Sequence, residues 1–326
     1  MTLKLALLAV PLALVTSARA YRKGSLSRSG ALAAVLVGSV SLTASIRLGC
    51  VLLVFFASSS KLTRVGSARK AELEGRNYAG PGGNRSAVQV LANSGAATLL
   101  AVAHLVLRGA HHRAAGARAW WAEPTEARLS FSGPLRALSL VQLAYVCHYA
   151  CTTADTWASE LGVLSRAPPR LITTGALVRP GTNGGVSPLG LGASLCGGLL
   201  IGVCYFLMGK ALLPPAPPAA APAATTAAAT TATTAAAATT SDDEWFALVA
   251  APLAGAFGSA VDSLLGAALQ FSGYCAERKC VVEAPGPTVT RICGTPLLSN
   301  HGVNFAAALC TAAAAAAIVA AATSVR

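Results

Sequence analysis

The chain has 326 residues, of which 54% are hydrophobic and only 11% charged, with a formal net charge of +13 and a mean hydropathy of +0.59. A soluble domain carries about 25% charged residues, so water is not the main solvent of this protein. Its basic residues lie between apolar stretches and form no single face, which excludes a nucleic-acid surface in favour of charge flanking a membrane.

A spanning helix needs roughly 20 mostly apolar residues. The candidates in chain order are Thr2–Ser17, Ala31–Phe56, Val88–Leu107, Leu138–Thr153, Val186–Met208, Trp245–Phe271 and Val303–Thr323. They predict an all-α fold: one polytopic membrane bundle, residues 1–326, with about six or seven transmembrane helices. The first stretch is short and ends in Ala18-Arg19-Ala20, a small-x-small pattern like a signal-peptidase site, so it is either a retained helix or a cleaved leader. Arg47 interrupts the second, which is either one helix with an Arg facing the bundle or two shorter pieces folded as a hairpin. Abundant Ala and Gly with 6% aromatics predict helices that approach through small residues. The nine cysteines are scattered and odd in number, and most read as small buried hydrophobes. Residues 214–244 form a Pro/Ala/Thr tract ending in Asp242-Asp243-Glu244, too poor in large apolar side chains to order itself, and predict a disordered loop insertion.

A carboxylate within an apolar span costs at least about 2.5 kcal/mol on insertion scales, so it needs a partner or a function. Three acids stand out: Asp155, Glu160 and Asp262. Thr152, Asp155 and Ser159 recur at three- and four-residue spacing, a polar stripe at the end of a span. Asp262 lies on the line Gly258, Asp262, Gly266, Gln270, with Gly255, Ser259 and Ser263 beside it, so its helix presents a small and polar face to another backbone or a ligand. The structural alternative for Asp262 is an interhelical pair with Arg47 or another base, and for Asp155 a cap or an interfacial carboxylate reached by water.

The turn Asn183-Gly184-Gly185 is either an anion nest or ordinary turn chemistry. The loop 58–85, with Lys61, Thr63, Arg64, Arg69, Lys70, Arg76 and Arg85, suits polyphosphate or anionic head groups, or is a positive-inside loop. Asn93, Asn300 and Asn304 add uncharged polar groups at membrane depth. No Gly-x-x-x-x-Gly-Lys-Ser/Thr and no Gly-x-Ser-x-Gly occurs, which excludes a P-loop kinase and disfavours acyl-enzyme hydrolysis.

These motifs occur in one order. They are Leu26-Ser27-Arg28-Ser29-Gly30-Ala31 with Gly38, Phe55–Thr63 with Gly66 and Lys70, Gln89–Asn93, Ala154–Gly162, Gly181–Ser187, Gly258–Ala267 with Gln270, and Asn300 with Val303-Asn304. In this the chain resembles the integral membrane phytyl-phosphate kinases of vitamin E synthesis, grouped with transmembrane protein 19. The Ala/Thr insertion and Arg108–Arg128 lie outside the pattern.

The resemblance implies phosphoryl transfer from a nucleoside triphosphate, CTP by analogy with related prenol kinases, to an isoprenoid monophosphate, in a plastid envelope if the source is photosynthetic. It implies Mg²⁺ held by Asp155, Glu160 and Asp262. Phosphate oxygens would be bound by Lys61, Lys70 and the Asn183-Gly184-Gly185 turn, with Thr63, Ser263 and Gln270 in the same site. Asn93, Asn300 and Asn304 would fix the nucleotide or metal waters. Partners are then the lipid-tailed substrate, the nucleotide and membrane lipids, with no nucleic acid. The alternatives are a transporter or ion-coupled carrier, a scaffold whose acids only pair with arginines, and a nucleotidyltransferase that makes a CDP-lipid.

Overall fold

The computed structural model describes residues 2–74, 83–117, 126–213 and 243–324. The Pro/Ala/Thr tract lies, apart from Asp243 and Glu244, outside the described residues. Nine helices carry the described chain: α1 (Thr2–Arg22), α2 (Arg28–Ala44), α3 (Ile46–Leu62), α4 (Ser67–Glu74), α5 (Ala87–Ala114), α6 (Arg136–Gly162), α7 (Pro188–Leu212), α8 (Phe246–Leu269) and α9 (Asn300–Ser324). Every apolar stretch of the sequence is thus helical. Four of the helices, α5, α7, α8 and α9, are long and apolar enough to cross a membrane by length and composition.

The hairpin alternative describes Ala31–Phe56. Ser45 is extended (φ −165°, ψ 141°), accepts a hydrogen bond from Leu48 N–H and ends one helix as it begins the next. A Cβ on Gly49 would lie 3.1 Å from Leu42 Cα. Residues seven apart in a continuous helix are about 10 Å apart along its axis, so the chain folds back here. Glu126 stabilises the bend, accepting from Ser45 Oγ and Ile46 N–H, each at 2.7 Å.

Serine caps start α2, α3, α5 and α7: Ser27, Ser45, Ser86 and Ser187 each accept from a first-turn amide. Helix α6 is the centre of the bundle, packed on α3, α5, α7, α8 and α9, and it is buried continuously from Gln142 to Ala154. It is also more polar than the four most apolar helices, because it meets protein rather than lipid. The outer helices are the reverse. Leu7, Leu8 and Leu14 of α1, Leu99 and Val106 of α5 and Leu253 and Phe257 of α8 are exposed, a surface suited to acyl chains and not to water.

Small residues set the spacing. A Cβ on Gly198 or Gly202 of α7 would come 2.5 Å from the Ala251 or Ala247 carbonyl oxygen of α8, and one on Gly197 would come 3.0 Å from Ala154 Cα of α6. Two short sheets join the helices at one end of the bundle: β1 (Arg170–Leu171) pairs with β2 (Gly185–Val186), and β3 (Ser272–Cys275) lies between β4 (Cys280–Val282) and β5 (Val289–Cys293), all antiparallel. The all-helical expectation omits them. Their sequence signal is short, resting on Val281-Val282 and Val289-Thr290 between turn residues.

Candidate functional site

A cavity of about 450 Å³ opens where the C-terminal ends of α3, α6 and α8 meet the N-terminal ends of α5, α7 and α9. Its wall includes Thr63, Asn93, Asp155, Glu160, Asn183, Gly184, Gly185, Asp262, Ser263, Gln270, Asn300 and Asn304. Twelve of the fourteen residues singled out from sequence therefore share one space, although they come from six separate segments.

Asp155 and Asp262 face each other across the α6–α8 contact, close enough for each to lie in the other's field, with Cys151 in the field of both. The Gly258–Asp262 line makes this approach possible, since a Cβ on Gly258 would lie 2.3 Å from Cys151 Sγ and 2.7 Å from Thr311 Oγ1 of α9. In the amide orientation that satisfies both its neighbours, Asn304 donates to Asp262 Oδ2 (3.2 Å) and to the Asn300 carbonyl (2.8 Å). Gln270 Nε2 donates to Asn300 Oδ1 at 3.4 Å. Neither Asp155 nor Asp262 is ion-paired among the described residues. The alternative in which Arg47 neutralises Asp262 does not hold, because Arg47 pairs with Glu244.

Three expectations need correction. Lys70 bonds Glu160 as well as the carbonyls of Leu62 (3.2 Å) and Thr63 (3.4 Å). An ammonium has three N–H donors, so Lys70 caps α3 and holds Glu160 and has none left for phosphate. Lys61 is exposed on the last turn of α3 and does not line the cavity. Among the described residues no three His, Cys, Asp or Glu side chains are grouped to hold one ion. Glu160 follows Asp155 by five positions, about 140° around α6, which turns it toward Lys70 and away from the aspartate pair.

The turn is likewise committed in part to structure. Asn183 N–H donates to Ser272 Oγ (3.0 Å) and its side chain to the Phe271 carbonyl (3.4 Å), while Gly185 N–H donates to the Thr182 carbonyl (3.0 Å). Gly184 has φ +76°, and a Cβ there would strike Ala267 Cβ at 2.5 Å and the Ser263 carbonyl oxygen at 2.7 Å. The glycine lets the turn lie directly on α8 beside Asp262.

Among the described residues the cation that lines the cavity is Arg85, read from sequence only as one charge of a basic loop. Its guanidinium donates to Ser60 Oγ (2.8 Å) and Thr63 Oγ1 (3.4 Å). Burial lowers its pKa, Glu160 opposes that shift and Arg64 adds to it; a guanidinium remains charged even so. The Leu26–Gly30 motif explains its placement. Arg85 N–H donates to the Ser25 carbonyl, Ser27 N–H donates to the Arg85 carbonyl, and a Cβ on Gly30 would lie 2.0 Å from that carbonyl oxygen.

Two carboxylates with no basic partner among the described residues, in a cavity also lined by Thr156, Ser259 and Ser263, are a hard oxygen donor set. It fits Mg²⁺, which takes one or two carboxylates and completes its shell with water and substrate phosphate.

Residues 11–312 match the family described as integral membrane protein DUF92, and the chain belongs to that family. It is 38% identical over 293 residues to Protein PGR of Arabidopsis thaliana, covering 90% of this chain and 88% of the relative. It is also 42% identical over 66 residues to an uncharacterized membrane protein of Methanocaldococcus jannaschii, covering 20% of this chain and 28% of that one. No solved structure matches.

Proposed function

We propose that this member of the DUF92 integral membrane family is a prenyl-phosphate kinase, transferring the γ-phosphoryl group of a nucleoside triphosphate, CTP by the resemblance, to a phytyl or related isoprenoid monophosphate. The observation that carries the proposal is the pair Asp155 and Asp262, without a basic partner among the described residues and lining the same cavity as the buried Arg85. Anionic and cationic groups on one wall suit a ligand that is itself an anion carrying a metal.

In the reaction an oxygen of the acceptor monophosphate forms a bond to the γ-phosphorus as the bond from that phosphorus to the β–γ bridging oxygen breaks. The products are a prenyl diphosphate and a nucleoside diphosphate. Asp155 and Asp262 would hold Mg²⁺, and the chemistry it would supply when bound is neutralisation of phosphate charge. Arg85 would orient the acceptor phosphate, and Asn93, Asn300 and Asn304 would position the second anion or its waters. The acceptor oxygen is already ionised, so the site needs no general base; positioning and charge neutralisation supply the rate. The plastid envelope as the membrane belongs to the same proposal and rests on the family resemblance alone; the relative in Arabidopsis thaliana fits a plant source.

The test is product identity. Purified protein in detergent, given CTP, Mg²⁺ and phytyl phosphate, is followed by phosphorus NMR. Phytyl diphosphate with CDP is expected. A CDP-lipid with pyrophosphate would instead assign nucleotidyl transfer, and no conversion by folded protein would favour a carrier, which needs two compartments for its activity.

A further inference from the structure

A second cavity, of about 70 Å³, lies between α1, α2, α3 and α5, and its lining is almost wholly apolar. It shares Arg85, Gln89 and Asn93 with the polar cavity, so the two spaces meet at one wall. Phe56 of the apolar side lies under the Arg85 guanidinium, 5.9 Å from ring centroid to cation. A cation at the junction of a polar and an apolar space matches an amphiphile whose anion is attached directly to a hydrocarbon chain.

The size of the slot limits what it can hold. Water in the liquid occupies about 30 Å³ per molecule, so the slot takes only the first few carbons of a chain. Its far wall cannot retreat easily: α1 and α2 touch at Gly38, where a Cβ would lie 3.2 Å from Ala13 Cβ. On the other face of α1, Leu8, Leu12 and Val15 are exposed, as suits lipid.

We propose that this slot receives the head-proximal carbons of a lipid phosphate, next to the phosphate itself, while the rest of the chain lies in the bilayer. Selectivity then depends on the shape of the first isoprene unit and not on total chain length. This rests on the reading of the polar cavity as a phosphate site.

The experiment uses the full chain in lipid nanodiscs and a C10 prenyl phosphate bearing a diazirine within its first five carbons, with adducts mapped by mass spectrometry. Adducts are expected on Leu52, Phe56 or Val90. Prenyl phosphates of C10, C15 and C20 should compete alike, within about threefold, and ethyl phosphate should not compete. Ala34→Phe, which fills the slot, should lower labelling by about tenfold or more; if it fails to fold, Leu52→Trp serves the same purpose. Adducts confined to α8 and α9, or competition that rises more than about tenfold from C10 to C20, would overturn the slot. The kinase reading fails separately: labelled slot residues with no diphosphate product would retain the slot and remove the kinase.

Discussion

Two charged clusters lie at opposite ends of the bundle, separated by the length of α3, and they are built in opposite ways. At one end Arg47, 0% exposed, pairs with Glu244, 1% exposed, and the remaining groups are largely matched. Arg47 donates to the carbonyls of Ala127 (3.3 Å) and Tyr205 (3.2 Å), its guanidinium lies 3.7 Å from the Tyr205 ring centroid, and Glu244 accepts from Leu129 N–H (2.9 Å). At the other end Asp155 and Asp262 line a cavity with no ion-pair partner among the described residues, and Arg85 on the same wall bonds Ser60 and Thr63 instead. The first cluster is sealed and fixes helices α3, α7 and α8 together. The second leaves charge unmatched, and in a low-dielectric setting unmatched charge is retained where a ligand supplies the countercharge.

Substitutions should separate the two ends. Asp155→Asn and Asp262→Asn should each reduce diphosphate formation by roughly 10²–10³-fold or more, with the melting temperature unchanged or raised, since one of two neighbouring like charges is gone. A melting temperature that falls sharply would mean that the aspartates are structural and would erase the contrast. Glu244→Gln should do the opposite. It leaves a buried guanidinium without its carboxylate, at a cost of about 3–5 kcal/mol read as a lower melting temperature, and the surviving folded fraction should turn over normally.

Smaller effects sharpen the picture at the cavity mouth. Gly30→Ala pushes against the Arg85 carbonyl, so the acceptor KM should rise by roughly tenfold with kcat little changed; an unchanged KM would remove Arg85 from the phosphate site. Lys70→Met should cost about 1–2 kcal/mol of stability through the loss of its charged hydrogen bonds. It should lower turnover far less than either aspartate variant, because Lys70 holds α3 and Glu160 and does not reach the substrate.

The bundle was legible because each of its long helices carries its own signal, an apolar run, often with a serine before it; the short polar α4 (Ser67–Glu74) carries none. The carboxylates were legible for the same reason, since an acid such as Asp262 in an apolar run conflicts with its surroundings. What could not be read is which charges meet. Lys61, Lys70 and Arg85 belong to one basic loop and look equivalent in the sequence, yet one is exposed, one caps α3 and one lines the cavity. The difference depends on carbonyls and glycines far along the chain, such as Gly30 beneath Arg85. The bend at Ser45 depends similarly on Glu126, eighty-one positions away, and the sheet at 272–293 on strands too short to show a period.

The most direct test of the central claim, that Asp155 and Asp262 hold a cation bound to phosphate, is thermal unfolding of the detergent-purified chain with CTP, titrated with Mg²⁺. The wild type should gain stability as Mg²⁺ rises and lose the gain in EDTA, as expected for a ligand bound to the folded state alone, while the Asp155→Asn/Asp262→Asn double variant should show no gain. Equal Mg²⁺-dependent protection of the double variant and the wild type would contradict the account.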